Sequence, residues 1–143
     1  MMIKSLSHLT ISSINIRDNI KFYTNVLGLI HGETLKGAEP GAYFYVEDNP
    51  IPVVHIVDEG QHSGSKTTDF HLDAKSVKSQ PTSLATGALD HIAFNLKMKD
   101  FDILVQRLQE YSVPYKIGQD LMPRMKQIWA LDPNGIKIEL NFS

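Results

Sequence analysis

The chain repeats itself once, and that repeat constrains its fold more than any other feature. SHLTI (Ser7 to Ile11) lies over DHIAF (Asp90 to Phe94) at an offset of 83 residues, and VVHIV (Val53 to Val57) lies over KIELN (Lys137 to Asn141) at 84. Order and spacing agree, as an internal duplication requires. Between these anchors both halves read as strand, helix and three strands. In the first half Ile3 to Ser12 alternates as a strand, and Ile20, Phe22, Tyr23, Val26 and Leu27 recur at helical steps up to Gly28. Strands are expected over 29–35, 42–46 and 51–57. In the second half strands over 88–96, 115–117, 127–131 and 136–142 accompany a helix over 100–111, with Asp102, Leu104, Val105, Leu108 and Tyr111 at helical spacing. Asp132-Pro133-Asn134-Gly135 turns the last hairpin.

The expected class is α+β. The 143 residues make one domain, with a first module over 3–57, a connection over 58–87 and a second module over 88–143. The connection is polar, rich in Ser, Thr, Lys and Gly, and a loop that long inside a domain either serves a site or is a linker. It starts beside His55 and ends beside His91, which suggests a mobile cover over a pocket.

Composition removes several classes of function. Fourteen Lys plus Arg against 16 Asp plus Glu leave a net charge of −2, so the footprint of a nucleic-acid or anionic-membrane binder is missing. No cysteine is present, which excludes disulfides, thiolate nucleophiles, iron–sulfur clusters and cysteine zinc sites. Neither a signal peptide nor an apolar run of membrane-spanning length is visible, so a cytoplasmic protein is expected.

The repeat places four polar residues at equivalent points inside apolar strands: His8 and His91 on the first strand of each half, His55 and Glu139 on the last. Strand alternation sends Ile136, Ile138 and Leu140 to one face and Lys137, Glu139 and Asn141 to the other. The apolar face should pack on the helix, and the polar face should line something wet. A lone histidine on a strand is ordinarily a hydrogen-bonded structural residue, but duplicated placement favours a shared role. A glutamate on a central strand is costly unless it is paired or coordinated. Three imidazoles and one carboxylate suit a borderline divalent ion (Fe, Mn, Co, Ni or Zn), whereas Ca or Mg would want mostly oxygen. His31, His62 and His71 lack counterparts in the repeat and read as surface or loop residues.

SHLTIS, NIKFYTNVLGL, GALDHIAF and LDPNGIKIELNF together span nearly the whole chain, and through them the sequence resembles the vicinal oxygen chelate superfamily. That superfamily groups glyoxalase I, methylmalonyl-CoA epimerase, fosfomycin-resistance enzymes, extradiol dioxygenases and bleomycin-binding proteins. The resemblance implies two βαβββ modules forming an incomplete, U-shaped eight-stranded barrel around one divalent metal, with a small-molecule substrate and pairing of modules in a homodimer. The family's ligand positions fall on His8, His91 and Glu139, and its fourth position holds His55, where glyoxalase I has Glu and the epimerase Gln.

The family's common step is chelation of two neighbouring substrate oxygens and stabilisation of an enolate, oxyanion or catecholate. A lyase or isomerase of the glyoxalase type is the leading expectation, with Glu139 or Glu47 as the base. A small Fe(II) ring-cleaving dioxygenase is the alternative, with His8, His91 and Glu139 as ligands and His55 as an acid/base group. A non-catalytic binder of the bleomycin-resistance type comes third, because such binders generally lack the ligand set filled here. Fosfomycin transfer is least favoured, since three arginines (Arg17, Arg107, Arg124) supply no evident phosphonate cluster.

Overall fold

The structure is a computed structural model and describes residues 5–33, 41–58, 89–118 and 125–143. The chain divides into two compact units, Met1–Ala74 and Lys75–Ser143. The connection expected to cover a pocket lies outside the described residues, apart from Asp58.

The first unit contains β1 (Leu9–Ser13), α1 (Ile16–Lys21), a π turn (Phe22–Val26), β2 (Ile30–Gly32), β3 (Gly41–Tyr45) and β4 (Val54–Asp58). Its sheet has the order β1-β4-β3-β2, parallel at β1·β4 and antiparallel elsewhere. Asn15 starts the helix by accepting the Asp18 amide at 3.3 Å, and its own amide bonds the Ser13 hydroxyl at 3.0 Å. Buried Asn19 ties back to the same hydroxyl at 3.0 Å and to the Asn15 carbonyl at 2.8 Å, so its polar head is matched rather than stranded. Sequence spacing alone anticipates one continuous helix to Gly28. Instead Thr24 Oγ1 donates to the Ile20 carbonyl at 2.6 Å, and the Leu27 amide bonds the carbonyl five residues back, Phe22, at 3.0 Å. The side chain has taken a carbonyl the helix would have used, and the last turn widens. Gly28, at φ 79°, then ends it.

The second unit contains β5 (His91–Leu96), a short 3-10 turn (Met98–Asp100), α2 (Phe101–Glu110), β6 (Tyr115–Ile117), β7 (Lys126–Leu131) and β8 (Lys137–Phe142). Its sheet order, β5-β8-β7-β6, repeats the first unit's permutation, again with the first and last strands parallel. The buried stripe of α2 is Phe101, Leu104 and Leu108; Asp102 and Tyr111, expected on that stripe, are exposed. Phe101 takes the inward place and meets Phe142 edge-on at 5.1 Å. The β7–β8 turn is held by Asp132, whose carboxylate accepts the Asn134 and Ile136 amides, each at 2.8 Å, while Gly135 supplies the positive φ of 80°.

Register settles the duplication. Leu9 pairs with Val54 in the first unit and His91 with Lys137 in the second, so Thr10–His55 and Ala93–Glu139 are equivalent pairs. On the neighbouring strands Tyr43 pairs with His55 as Trp129 pairs with Glu139, and Gly41 pairs with Val57 as Gln127 pairs with Asn141. β8 alternates as expected: Ile138, Leu140 and Phe142 are buried, and Lys137, Glu139 and Asn141 are half-buried. β4 does not, since Val54, His55, Ile56 and Val57 are all buried.

Candidate metal centre

In the second unit the polar face of three adjacent strands gathers into one hydrogen-bonded cluster. β5 contributes His91, β8 contributes Lys137, Glu139 and Asn141, and β7 contributes Gln127 and Trp129; register puts these residues on one side of the sheet. His91 Nε2 stands 2.9 Å from Glu139 Oε2, and His91 Nδ1 stands 2.8 Å from Asp90 Oδ2. Lys137 Nζ donates to both Asp90 oxygens, at 2.8 and 2.9 Å. Asp90 is exposed, yet the hydrogen bond from His91, and after it that from Lys137, hold its carboxyl below the ordinary value of 3.8. Trp129 lies edge-on to the His91 ring, with centroids 5.2 Å apart. The other carboxylate oxygen of Glu139, Oε1, accepts from Gln127 Nε2 at 2.6 Å and from Asn141 Nδ2 at 3.0 Å.

The first unit treats its equivalent positions differently. His55 is 8% exposed and its ring stacks on Tyr43, with centroids 3.9 Å apart and planes 15° from parallel. His8 is exposed one residue ahead of β1, with Nδ1 3.2 Å from the Ser7 hydroxyl. It misses the strand because the β1·β4 ladder begins at Leu9–Val54. Glu47 is exposed in the turn after β3, and His31 is exposed on β2, 5.6 Å from the Phe44 ring. His62 and His71 lie outside the described residues. Among the described residues, no three His, Asp or Glu side chains form a ready-made metal cluster.

The donor chemistry of the second unit fits a borderline divalent ion. An imidazole nitrogen and a carboxylate oxygen face each other, and a carboxylate behind the imidazole takes its far N–H. With a proton held on Nδ1 by Asp90, Nε2 would be free to face an ion, the arrangement metal-binding histidines ordinarily have. His91 and Glu139 were legible as candidates from the repeat. Asp90, Gln127 and Trp129 were not singled out, although Asp90 adjoins His91 and Gln127 and Trp129 alternate on a strand next to Glu139.

Comparison with known proteins agrees with this architecture. Residues 5–140 match the family model of the Glyoxalase/Bleomycin resistance protein/Dioxygenase superfamily. Metallothiol transferase FosB of Staphylococcus epidermidis is 30% identical over 144 residues, covering 98% of this chain and 84% of that protein. The solved structure of the fosfomycin resistance protein FosX from Listeria monocytogenes superposes with a TM-score of 0.66 at 17% identity, over 99% of this chain and 95% of that one. Lactoylglutathione lyase from Agrobacterium tumefaciens gives a TM-score of 0.61 at 14% identity, over 100% of this chain and 96% of that one. At such identities the two structures speak for the fold alone. With a duplicated βαβββ unit and a family match over nearly its whole length, the chain belongs to the glyoxalase/bleomycin resistance protein/dioxygenase superfamily.

Proposed function

We propose that this protein is a divalent-metal-dependent enzyme that holds a small oxygenated substrate by two neighbouring oxygens. His8 of the first module and His91 with Glu139 of the second are the protein ligands, with His55 at the fourth position as a further ligand or as the acid/base group beside it. The observation that carries this reading is the facing pair His91 Nε2 and Glu139 Oε2, 2.9 Å apart, with Asp90 behind the imidazole at 2.8 Å. Fe, Mn, Co, Ni and Zn all suit such nitrogen and oxygen donors. When bound, the ion supplies a Lewis acid that polarises the substrate oxygens. The chain's own part is orientation: Asp90 holds Nδ1 of His91, Lys137 holds Asp90, and Trp129 walls one side of the imidazole.

Among reactions, transfer of a thiol to the held substrate is the favoured reading, supported by 30% identity to a metallothiol transferase over 98% of the chain. The sequence alone placed that class last for want of a basic cluster. A lyase or isomerase reaction is the second reading, supported by the match of residues 5–140 to the family that includes the glyoxalases. Of its expected bases, Glu47 is exposed in a turn and Glu139 has both oxygens engaged.

The test is chelator dialysis, reloading with each divalent ion in turn, and three assays side by side. These are consumption of a low-molecular-weight thiol with fosfomycin, hemithioacetal isomerisation, and oxygen uptake with catechols. Metal-dependent thiol transfer is expected. Isomerisation or catechol-dependent oxygen uptake without it would replace the favoured reading. His91→Ala should keep the fold and lose the metal; stoichiometric metal in that variant would refute the ligand assignment.

A further inference from the structure

Every hydrogen bond on one side of Glu139 runs toward a single oxygen. Trp129 Nε1 donates to Gln127 Oε1 at 2.8 Å. An indole N–H can only donate, so the Gln127 carbonyl oxygen must face Trp129 and its amide nitrogen must face away. That nitrogen donates to Glu139 Oε1 at 2.6 Å and to Asn141 Oδ1 at 3.1 Å. Asn141, its own oxygen so occupied, turns its nitrogen to Glu139 Oε1 at 3.0 Å. The orientation of both amides is thus dictated from Trp129 inward, and two N–H groups converge on Oε1 while Oε2 faces His91 at 2.9 Å.

We propose that Gln127 and Asn141 are positioning residues that commit Glu139 to binding its metal through one oxygen, Oε2, and keep it from acting as a mobile base. The inference rests on the metal-centre reading above and deepens it. A carboxylate can coordinate through one oxygen or both, and it can swing off an ion to take a proton. Two amide donors on Oε1, one of them short and charge-assisted, oppose both movements.

The duplicated module serves as an internal control. The counterparts of Gln127 and Asn141 are Gly41 and Val57, which flank His55 and have no polar side-chain atoms. A side chain at Gly41 is moreover blocked, because its Cβ would overlap the Ile56 carbonyl oxygen. An imidazole ligates through one lone pair and has no such choice to settle. The amide ladder therefore stands opposite the carboxylate and not opposite the histidine, as a positioning role demands. A generic polar filling of the sheet face would have no reason to differ between the modules.

The experiment compares unmodified full-length protein with Gln127→Met, each stripped by chelator and titrated with Co(II) alone. Calorimetry reads the affinity, visible absorption of the Co(II) reads the coordination number, and circular dichroism with urea unfolding confirms the fold. We expect Gln127→Met to bind about 10- to 100-fold more weakly, the range ordinarily seen when a residue orienting a metal ligand is lost. Its absorption should weaken as both Glu139 oxygens engage and the coordination number rises. Gln127→Asn, one methylene short of Glu139 but still polar, should shift in the same direction and carries the test if the methionine variant unfolds. Unmodified affinity and spectrum in a folded variant would overturn the positioning role while leaving the metal centre intact. Failure of the unmodified protein to bind Co(II) would overturn the metal centre and the positioning role together.

Discussion

Neighbouring residues on β8 answer to different forces, so two substitutions one residue apart separate packing from chemistry. Leu140 is 1% exposed and sits in register between Phe94 on β5 and Ile128 on β7. Leu140→Ala removes buried methyl groups and leaves a cavity, a change that costs about 2–5 kcal/mol. Ile128 and Ile138 are wholly buried and fixed by their ladders, so the site can collapse only by moving strands. We therefore expect about 3 kcal/mol, near the middle of that range. For a chain of 143 residues this lowers Tm by about 6–12 °C. Glu139→Gln keeps the volume and faces the other way, toward His91. It should lower the urea midpoint less than Leu140→Ala does and abolish stoichiometric metal. Urea unfolding with an unchanged m-value reads the first effect, and elemental analysis after metal loading reads the second. The reasoning fails if Leu140→Ala costs less than about 1 kcal/mol, well under that range, or strips the metal while Glu139→Gln retains it.

Asp90→Asn removes the charge behind His91 and should weaken metal binding about 10- to 100-fold without moving the thermal midpoint, since the group is exposed. Because Trp129 is the chain's one tryptophan and its ring lies 5.2 Å from that of His91, Ni(II) quenching of its fluorescence follows the titration directly. Gly41→Ala should unfold the first unit or sharply lower its stability, because the new Cβ meets the Ile56 backbone rather than a side chain able to move; a urea midpoint equal to that of the unmodified protein would contradict the close approach. The protein should also form a homodimer, since among the described residues β1 and β2, like β5 and β6, are edge strands of their sheets and edges invite pairing. Light scattering that finds only a 16.1 kDa species across micromolar concentrations would count against it.

Much of the fold was legible because two independent signals agreed, periodicity within each half and repetition between them. Strand β6 over 115–117 coincides with its expected span, and the others differ at their ends, most at β1, which begins at Leu9 and not at Ile3 and so leaves His8 outside it. The helix of the first unit closes at Gly28 as expected but widens in its last turn, for a reason periodicity cannot carry. Thr24 bonding the Ile20 carbonyl is a side-chain event, invisible to a count of apolar spacings. Likewise α2 turned Phe101 inward and not Asp102, because Phe101 lies three residues before Leu104 and seven before Leu108 and so shares their face, as Asp102 does not. The site divides in the same manner. Glu139 and His91 stood out because each interrupts an apolar strand. Asp90, Gln127 and Trp129 interrupt nothing, and only strand register brings them beside the first two. His55 was legible as a position but not as an environment: its burial under Tyr43 follows from the cross-strand pair, which the sequence leaves unassigned.

The register also says where function can diverge in a chain built this way. Both units share sheet order, a parallel pairing of their first and last strands, and a buried apolar face on the last strand. These features depend on apolar residues of one face, and any change among them carries a packing cost. The opposite face is half-buried on β8 and buried on β4, and there the two copies have parted: Tyr43 against Trp129, His55 against Glu139, Gly41 and Val57 against Gln127 and Asn141. Two of these differences answer directly to the residue at the central position. A flat imidazole is held by a stacked ring, at 3.9 Å from Tyr43, whereas a carboxylate is held by N–H donors at 2.6 and 3.0 Å. Exchanging His55 and Glu139 alone would put a carboxylate against a tyrosine face and an imidazole among amides that want an acceptor. A new pairing of ligands on this scaffold therefore has to bring its neighbours with it, three residues on two strands, while the other face stays as it is.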